Sequence, residues 1–161
     1  MLGTEARIGR LSQKGVVMPH RQICEVIGNR PFPTAQGSNT IRECAFIMKE
    51  WKSSALLVIQ DRKLLGILTE RDIVFRCVAL GGPTDSLSVL SVMTKNPQVI
   101  HQSKPFGHAL HLMYEGGFRH MPVVDDEGQV VGLLSAQDAL ALDGAQLERE
   151  LVQREEITVV L

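Results

Sequence analysis

The sequence is poor in aromatic residues and has no excess of charge of either sign. Only 4% of its 161 residues are aromatic, and 17 basic side chains stand against 18 acidic ones, so the formal net charge is −1. Because balanced charge gives no overall basic field to hold a phosphate backbone, nucleic-acid binding is not expected. The composition, 44% apolar and 22% charged, is that of an ordinary globular protein.

Cysteine and long apolar runs are also scarce. The three cysteines, Cys24, Cys44 and Cys77, are far apart and odd in number, which favours a reduced compartment over a disulfide framework. No stretch approaches the roughly 18 apolar residues of a membrane span, and the N-terminus lacks the apolar core of a secretory signal. We therefore expect a cytoplasmic protein without a membrane partner. The basic start of the chain leaves an organelle address as the alternative.

The sequence contains an internal repeat of one structural unit. An amphipathic helical stripe recurs after 65 residues, first as Ile41, Cys44, Ala45 and Met48 and then as Phe106, Ala109, Leu110 and Met113. Each helix precedes two apolar runs around a polar turn, 55–59 with 64–69 and 121–124 with 130–135. A second helix is expected after each pair, over 70–80 and 136–142. A helical turn and a Pro-marked extended segment precede each unit, so the pattern is helical turn, extended segment, helix, strand, strand, helix.

The repeats predict the domain boundaries. We expect an N-terminal arm at 1–20, a first repeat at 21–80, a linker at 81–88, a second repeat at 89–142 and a C-terminal tail at 143–161. Units of this size lie near the lower limit for independent folding, so the two halves should pack on one another about a pseudo-twofold axis and form equivalent clefts. The apolar run 157–161 should dock on the arm or on a second subunit.

Three motifs carry a family resemblance. Gly66-Ile-Leu-Thr-Glu-Arg-Asp-Ile73, Val92-Met-Thr-Lys-Asn-Pro97 and Gly117-Phe-Arg-His-Met-Pro-Val-Val-Asp125 resemble a tandem pair of cystathionine-β-synthase (CBS) domains, or Bateman module, over about residues 20–142. The resemblance implies an α+β fold of two β-α-β-β-α repeats. It also implies clefts for an adenosine-containing ligand such as AMP, ADP, ATP, S-adenosylmethionine or NADH. The implied role is sensing and not catalysis, with no obligatory cofactor.

Two hydroxyl–carboxylate motifs stand where a strand meets a helix. Thr69-x-x-Asp72 and Ser135-x-x-Asp138 have the spacing of a capping box, which satisfies free N–H groups at a helix start. The same position can instead present a hydroxyl and helix N–H groups to a phosphate, and a carboxylate to the vicinal hydroxyls of a ribose. In the resembled family this position contacts ligand. Both interpretations stay open from the sequence.

Further candidate contacts precede and open the strand of the second repeat. Arg119 and His120 follow two glycines and could donate to a phosphate, although a solvated Arg and a strand-edge His fit equally well. The matching positions of the first repeat, Ser54 and Ala55, carry no charge, so the two sites should differ. Met121 and Pro122 are either core residues or, by the resemblance, apolar contacts for adenine.

Other chemistry has little support in the sequence. His101, His108 and His111 lack the spacing of a metal site, and no nucleophile elbow or Gly-rich phosphate loop is present. We expect a homodimer, because the predicted second helices carry apolar stripes at Ile73, Cys77 and Leu80 and at Ala139, Leu140 and Leu142. The leading hypothesis is a regulatory module that signals in trans to an unidentified effector protein. The alternative is a ligand-independent dimerisation scaffold with vestigial clefts.

Overall fold

The computed structural model describes residues 21–144 and contains two mixed β-sheets flanked by helices. The N-terminal arm and the tail beyond residue 144, including the predicted docking of 157–161, lie outside the described residues. The first sheet has the order β1-β2-β3-β4 and the second the order β5-β6-β7. Their strands are β1 (Thr34–Ala35), β2 (Ala55–Gln60), β3 (Lys63–Thr69), β4 (Thr94–Lys95), β5 (Ile100–His101), β6 (His120–Val124) and β7 (Val130–Ser135).

The main helices follow the predicted repeat. They are α1 (Ile23–Ile27), α2 (Ile41–Glu50), α3 (Glu70–Asp72) and α4 (Phe106–Gly116), with a 3₁₀ turn at Val89–Ser91 and a helical stretch at 138–144. Helix α2 begins at a capping box in which Thr40 and Glu43 satisfy each other's backbone N–H groups. Its predicted stripe is buried except for Ala45, which is exposed and lines a cleft described below.

The second helix of the first repeat differs from the predicted α-helix over 70–80. After α3 the chain continues as a π-helix at Ile73–Val78. The N–H of Ala79 donates to the carbonyl of Val74 at 2.8 Å, the five-residue step of a π turn. The helix stops before Gly81, whose φ of +69° is in the left-handed region.

The fold is layered as helices, sheet, sheet, helices. One face of the first sheet packs under α2 and the π-helix in a core that includes Leu56, Val58 and Leu68. The opposite face meets the second sheet, where Leu57, Ile67 and Leu133 form the contact between the repeats. Because strand residues alternate between faces, each repeat contributes one face to its own core and one to the shared interface. The expected packing of the two repeats on one another is therefore confirmed.

The helical turn that opens each repeat packs into the core of the other repeat. Ile23 and Ile27 of α1 lie in the second core, and Val89 and Val92 lie in the first. Backbone hydrogen bonds hold the exchange, with Ile23 N–H donating to Lys104 and Ile41 N–H donating to Leu87, both at 2.9 Å. Sequence order counts α1 with the first repeat, whereas its side chains are buried in the second.

Two glycines permit this exchange. A Cβ on Gly66 of β3 would stand 2.5 Å from the carbonyl oxygen of Thr94, and a Cβ on Gly132 of β7 would stand 2.7 Å from Cδ1 of Ile27. The two positions correspond in the repeats. Each lets the exchanged segment approach the strand more closely than a side chain would allow.

The predicted dimer stripes face inward and not outward. Cys77 is fully buried and Ile73 packs against the first core, because the π-helix turns them toward the sheet. Ala139 and Leu142 pack against the second core in the same way. Only Leu80 and Leu140 of the six predicted residues are strongly exposed, so these stripes do not form the apolar surface that was expected to bind a second subunit.

Candidate functional site

Two neighbouring clefts between the repeats share part of their lining. The large cleft, about 940 Å³, is bounded by 30–33, the end of α2, Ser53, Ser54 and 135–138. The small cleft, about 220 Å³, is bounded by Ile67, 69–72, Thr94, 97–98 and 117–118. Ser54, Glu70, Arg119 and His120 line both. The sequence predicts equivalent clefts, and the structure provides two clefts of very different size.

The Thr69–Asp72 motif forms a complete capping box at the small cleft. Thr69 accepts from the N–H of Asp72 at 3.2 Å, and Asp72 Oδ2 accepts from both the N–H and the hydroxyl of Thr69 at 3.0 and 2.9 Å. Its Oδ1 lies 3.3 Å from the guanidinium of Arg76 and 3.4 Å from the hydroxyl of Thr94. The Asp72 carboxylate is buried and engaged by its own repeat and by β4.

The Ser135–Asp138 motif lies at the large cleft and has a different partner. Asp138 Oδ2 accepts from the N–H of Ser135 at 2.8 Å, while the Ser135 hydroxyl accepts from the N–H of Gln137 at 3.2 Å. The guanidinium of Arg30 binds both oxygens of Asp138, at 2.6 and 2.7 Å. This pair joins residues 108 positions apart and raises the pKa of Arg30 through the hydrogen bond to Asp138.

Sequence reasoning missed Arg30. The residue precedes the Pro-marked segment at Pro31, and its counterpart in the second repeat is Asn96. That asymmetry was visible in the alignment of the repeats. The pairing with Asp138 was not, because it depends on the crossing of the extended segment of one repeat over the helix start of the other.

Arg119 and His120 lie between the clefts and not in one repeat's site alone. Arg119 is exposed, and its side chain makes no hydrogen bond or ion pair within residues 21–144. His120 Nε2 lies 3.2 Å from the hydroxyl of Ser54. Burial and the neighbouring charge of Arg119 lower the pKa of His120, an effect partly opposed by Asp138. His120 is therefore predominantly neutral at pH 7.

The large cleft is rich in positive charge. Four cationic side chains line it, Arg30, Lys49, Lys52 and Arg119, against two carboxylates, Glu70 and Asp138. The small cleft has two of each sign, with Arg71 and Arg119 against Glu70 and Asp72. The large cleft is therefore the better place for an anionic group.

Lys52 reaches the cleft from an unusual backbone position. Helices α2 and α4 end in the same way, with the N–H of Ser53 bonded to Met48 and that of Phe118 bonded to Met113. The residue at the left-handed position is Gly117 in the second repeat, with φ +68°, and Lys52 in the first, with φ +49°. A lysine thus stands where glycine is the usual choice.

Met121 and Pro122 are fully buried and line neither cleft. Met121 belongs to the second core, and Pro122 pairs with Leu133 on the face toward the first repeat. Their side chains fix the start of β6, and with it the positions of Arg119 and His120.

Within residues 21–144, no group of three or more His, Cys, Asp or Glu side chains is placed to hold a metal ion. In the same range, no helix has the length and apolar character needed to cross a bilayer.

Comparison with known proteins agrees with the fold. The family model for the CBS domain matches residues 23–78 and 89–144, so the chain belongs to the CBS domain family. The CBS domain-containing protein CBSCBSPB1 of Arabidopsis thaliana is 42% identical over 97 residues, covering 60% of this chain but 18% of that protein. The chain thus spans less than a fifth of the length of that relative.

Two similar solved structures contain ligands. The CBS domain protein PAE2072 from Pyrobaculum aerophilum, complexed with AMP, is 25% identical with a TM-score of 0.69, over 78% of this chain and 99% of that one. The CBS domain pair of protein MJ0100, in complex with 5-methylthioadenosine and S-adenosyl-L-methionine, is 28% identical with a TM-score of 0.69, over 80% and 99% of the two chains. Each of these two proteins therefore binds an adenosine-containing molecule.

Proposed function

We propose that this chain is a regulatory module that binds a phosphorylated adenosine ligand in the large cleft. The proposal is based on one observation: the helix start at Ser135–Asp138 and four cationic side chains line the same cleft. Helix N–H groups and cations suit a phosphate, and the Asp138 carboxylate suits the hydroxyls of a ribose. The AMP complex of a similar structure supports this ligand class.

Cleft size supports the same choice. Ligand pockets usually measure about 300 to 1,000 Å³, and the large cleft, at about 940 Å³, falls in that range. The small cleft, at about 220 Å³, is below it. Thr69 and Asp72 are already engaged by one another there, so we assign them a mainly structural role. Occupancy of one cleft by AMP or ATP is the expected state.

The output of the module is proposed to act on a partner protein in trans. A ligand can shift a conformational equilibrium only by binding the two conformations unequally. The large cleft is walled by both repeats, so ligand contacts with Arg30 and Lys49 on one side and Ser135 on the other would change how the repeats sit together. We assign the chain no catalytic role and propose a cytoplasmic location.

A homodimer is part of the proposal. Large apolar side chains are exposed on the helices that cover the first sheet, with Phe46 at 61%, Phe75 at 63% and Val78 at 59% exposure. Nothing within residues 21–144 covers these side chains, and large exposed apolar side chains often lie at sites of protein association. Sedimentation equilibrium should show a dimer, and Phe75→Ser should shift it toward a monomer. A wild-type species near 17.8 kDa alone would contradict this.

A thermal-shift panel tests the proposed ligand class. AMP, ADP, ATP, NADH and S-adenosylmethionine are each added to the purified chain, with inorganic phosphate and GMP as controls. A ligand at about 100 times its dissociation constant stabilises the fold by about 2.7 kcal/mol, or several degrees. At least one adenosine ligand should exceed both controls. A flat response throughout would favour the ligand-independent scaffold.

A further inference from the structure

The two oxygens of Asp138 are almost fully used in the structure. A carboxylate offers about four acceptor sites. Nη1 of Arg30 occupies one on Oδ1, while Nη2 of Arg30 and the N–H of Ser135 occupy two on Oδ2. Only one site remains, on Oδ1. A vicinal diol needs two acceptors, so a ribose cannot bind Asp138 through both hydroxyls while Arg30 stays in place.

Arg30 is well held but able to leave. Besides Asp138, its Nη2 donates to the carbonyl of Leu133 at 3.1 Å. The Asp138 side chain is 12% exposed, whereas that of Arg30 is 42% exposed and reaches into the large cleft from the rim. A partly exposed arginine that loses its carboxylate is solvated by water at a modest cost, and it regains a charge-assisted hydrogen bond when another anion takes the place of the carboxylate.

We propose that Arg30 is a specificity-determining residue that makes the large cleft select phosphorylated over unphosphorylated adenosine ligands. A nucleotide supplies both halves of an exchange, because its ribose replaces Arg30 on Asp138 and its phosphate replaces Asp138 on Arg30. Adenosine supplies only the first half and leaves the guanidinium without an anion. This inference rests on the proposed function and names the residue that sets its ligand preference.

The small cleft lacks this device. The residue that corresponds to Arg30 is Asn96, and Asp72 is held by Arg76 of its own helical segment, four residues along. Arg76 and Asp72 lie on one helical segment, whereas Arg30 and Asp138 come from different repeats and pair across the large cleft. Selection by ion-pair exchange is therefore confined to the large cleft.

The test compares AMP and adenosine binding by calorimetric titration of the full chain and Arg30→Gln. Adenosine should bind Arg30→Gln at least about threefold more tightly than wild type, since no ion pair must be broken. The preference for AMP over adenosine should fall by about tenfold or more, since the charge-assisted phosphate contact is lost. Lys49→Gln is the matched control, because it removes the same charge from the same cleft without touching Asp138. Lys49→Gln should lower the affinity for AMP and leave the affinity for adenosine unchanged.

A second variant guards against misfolding of the first. Arg30→Lys keeps the charge but cannot bind both carboxylate oxygens at once. The affinity for adenosine should therefore increase, while the affinity for AMP stays close to that of wild type. AMP binding to wild type with no gain in adenosine affinity in either variant would overturn this inference alone. Failure of every adenosine ligand to bind the wild type and both variants would overturn the proposed function and this inference together.

Discussion

Removal of the Arg119 side chain should weaken the binding of phosphorylated ligands and leave the binding of adenosine almost unchanged. Arg119 is exposed, has no side-chain partner within residues 21–144 and lines both clefts. Arg119→Ala therefore breaks no packing, and the unfolding transition should stay within about 0.5 kcal/mol of wild type. A hydrogen bond to a charged group contributes about 1.5 to 3 kcal/mol, so AMP affinity should fall about 10- to 150-fold. Adenosine affinity should change little.

Arg71→Ala is the matched control for Arg119→Ala. Arg71 is also exposed and lines the small cleft but not the large one. Calorimetric titration with AMP should therefore give wild-type affinity for Arg71→Ala and a large loss for Arg119→Ala. Equal losses in the two variants would place the phosphate in the small cleft. Wild-type AMP affinity in Arg119→Ala would refute the role of Arg119.

Three further predictions follow from the same contacts. Asp72→Ala should lower the melting temperature more than Asp138→Ala does, because Asp72 completes the capping box. Asp138→Ala should lower the affinity for AMP more than Asp72→Ala does. The opposite rankings, in thermal melting and in calorimetry, would contradict these two roles. Gly66→Ala should destabilise the fold by about 1 to 3 kcal/mol in urea titration, and Gly132→Ala by less, because the first clash is with a backbone oxygen and the second with the end of a side chain. The pKa of His120 in the folded chain lies below its ordinary 6.5, so the unfolded chain binds that proton more tightly. The free energy of unfolding should therefore fall as the pH drops below 6.5. The urea midpoints at pH 7.5 and 5.5 should differ less in His120→Gln than in wild type.

The repeated elements could be predicted because local patterning determines them. The stripe on α2 follows from burial of one helix face, and the continuous apolar runs of β2 and β3 follow from burial of both sheet faces. Strands β6 and β7 repeat the same pairing, with His120 opposite Ser135 as Ala55 is opposite Thr69. The exchange of α1 could not be predicted, since Ile23 and Ile27 have the same apolar spacing whichever core receives them. Only the tertiary fold decides between the two.

The candidate site was predictable in its motifs and not in its pairing. Thr69-x-x-Asp72 and Ser135-x-x-Asp138 look alike in sequence, yet one closes on itself and the other is bound across the interface by Arg30. The difference arises from residues outside the motifs, Arg76 and Arg30, whose distances from the carboxylates depend on how the repeats pack. Cleft size is likewise a property of the assembled pair.

An NMR titration with AMP tests the central claim most directly, because it locates the ligand without a mutation. Backbone amide signals of Arg30, Lys49 and Ser53 and of 135–138 should shift together and saturate with one AMP per chain, while those of Thr94 and Gln98 should move little. Shifts confined to Thr94, Gln98 and 69–72 would place the ligand in the small cleft. The absence of any saturable shift would contradict ligand binding by this chain.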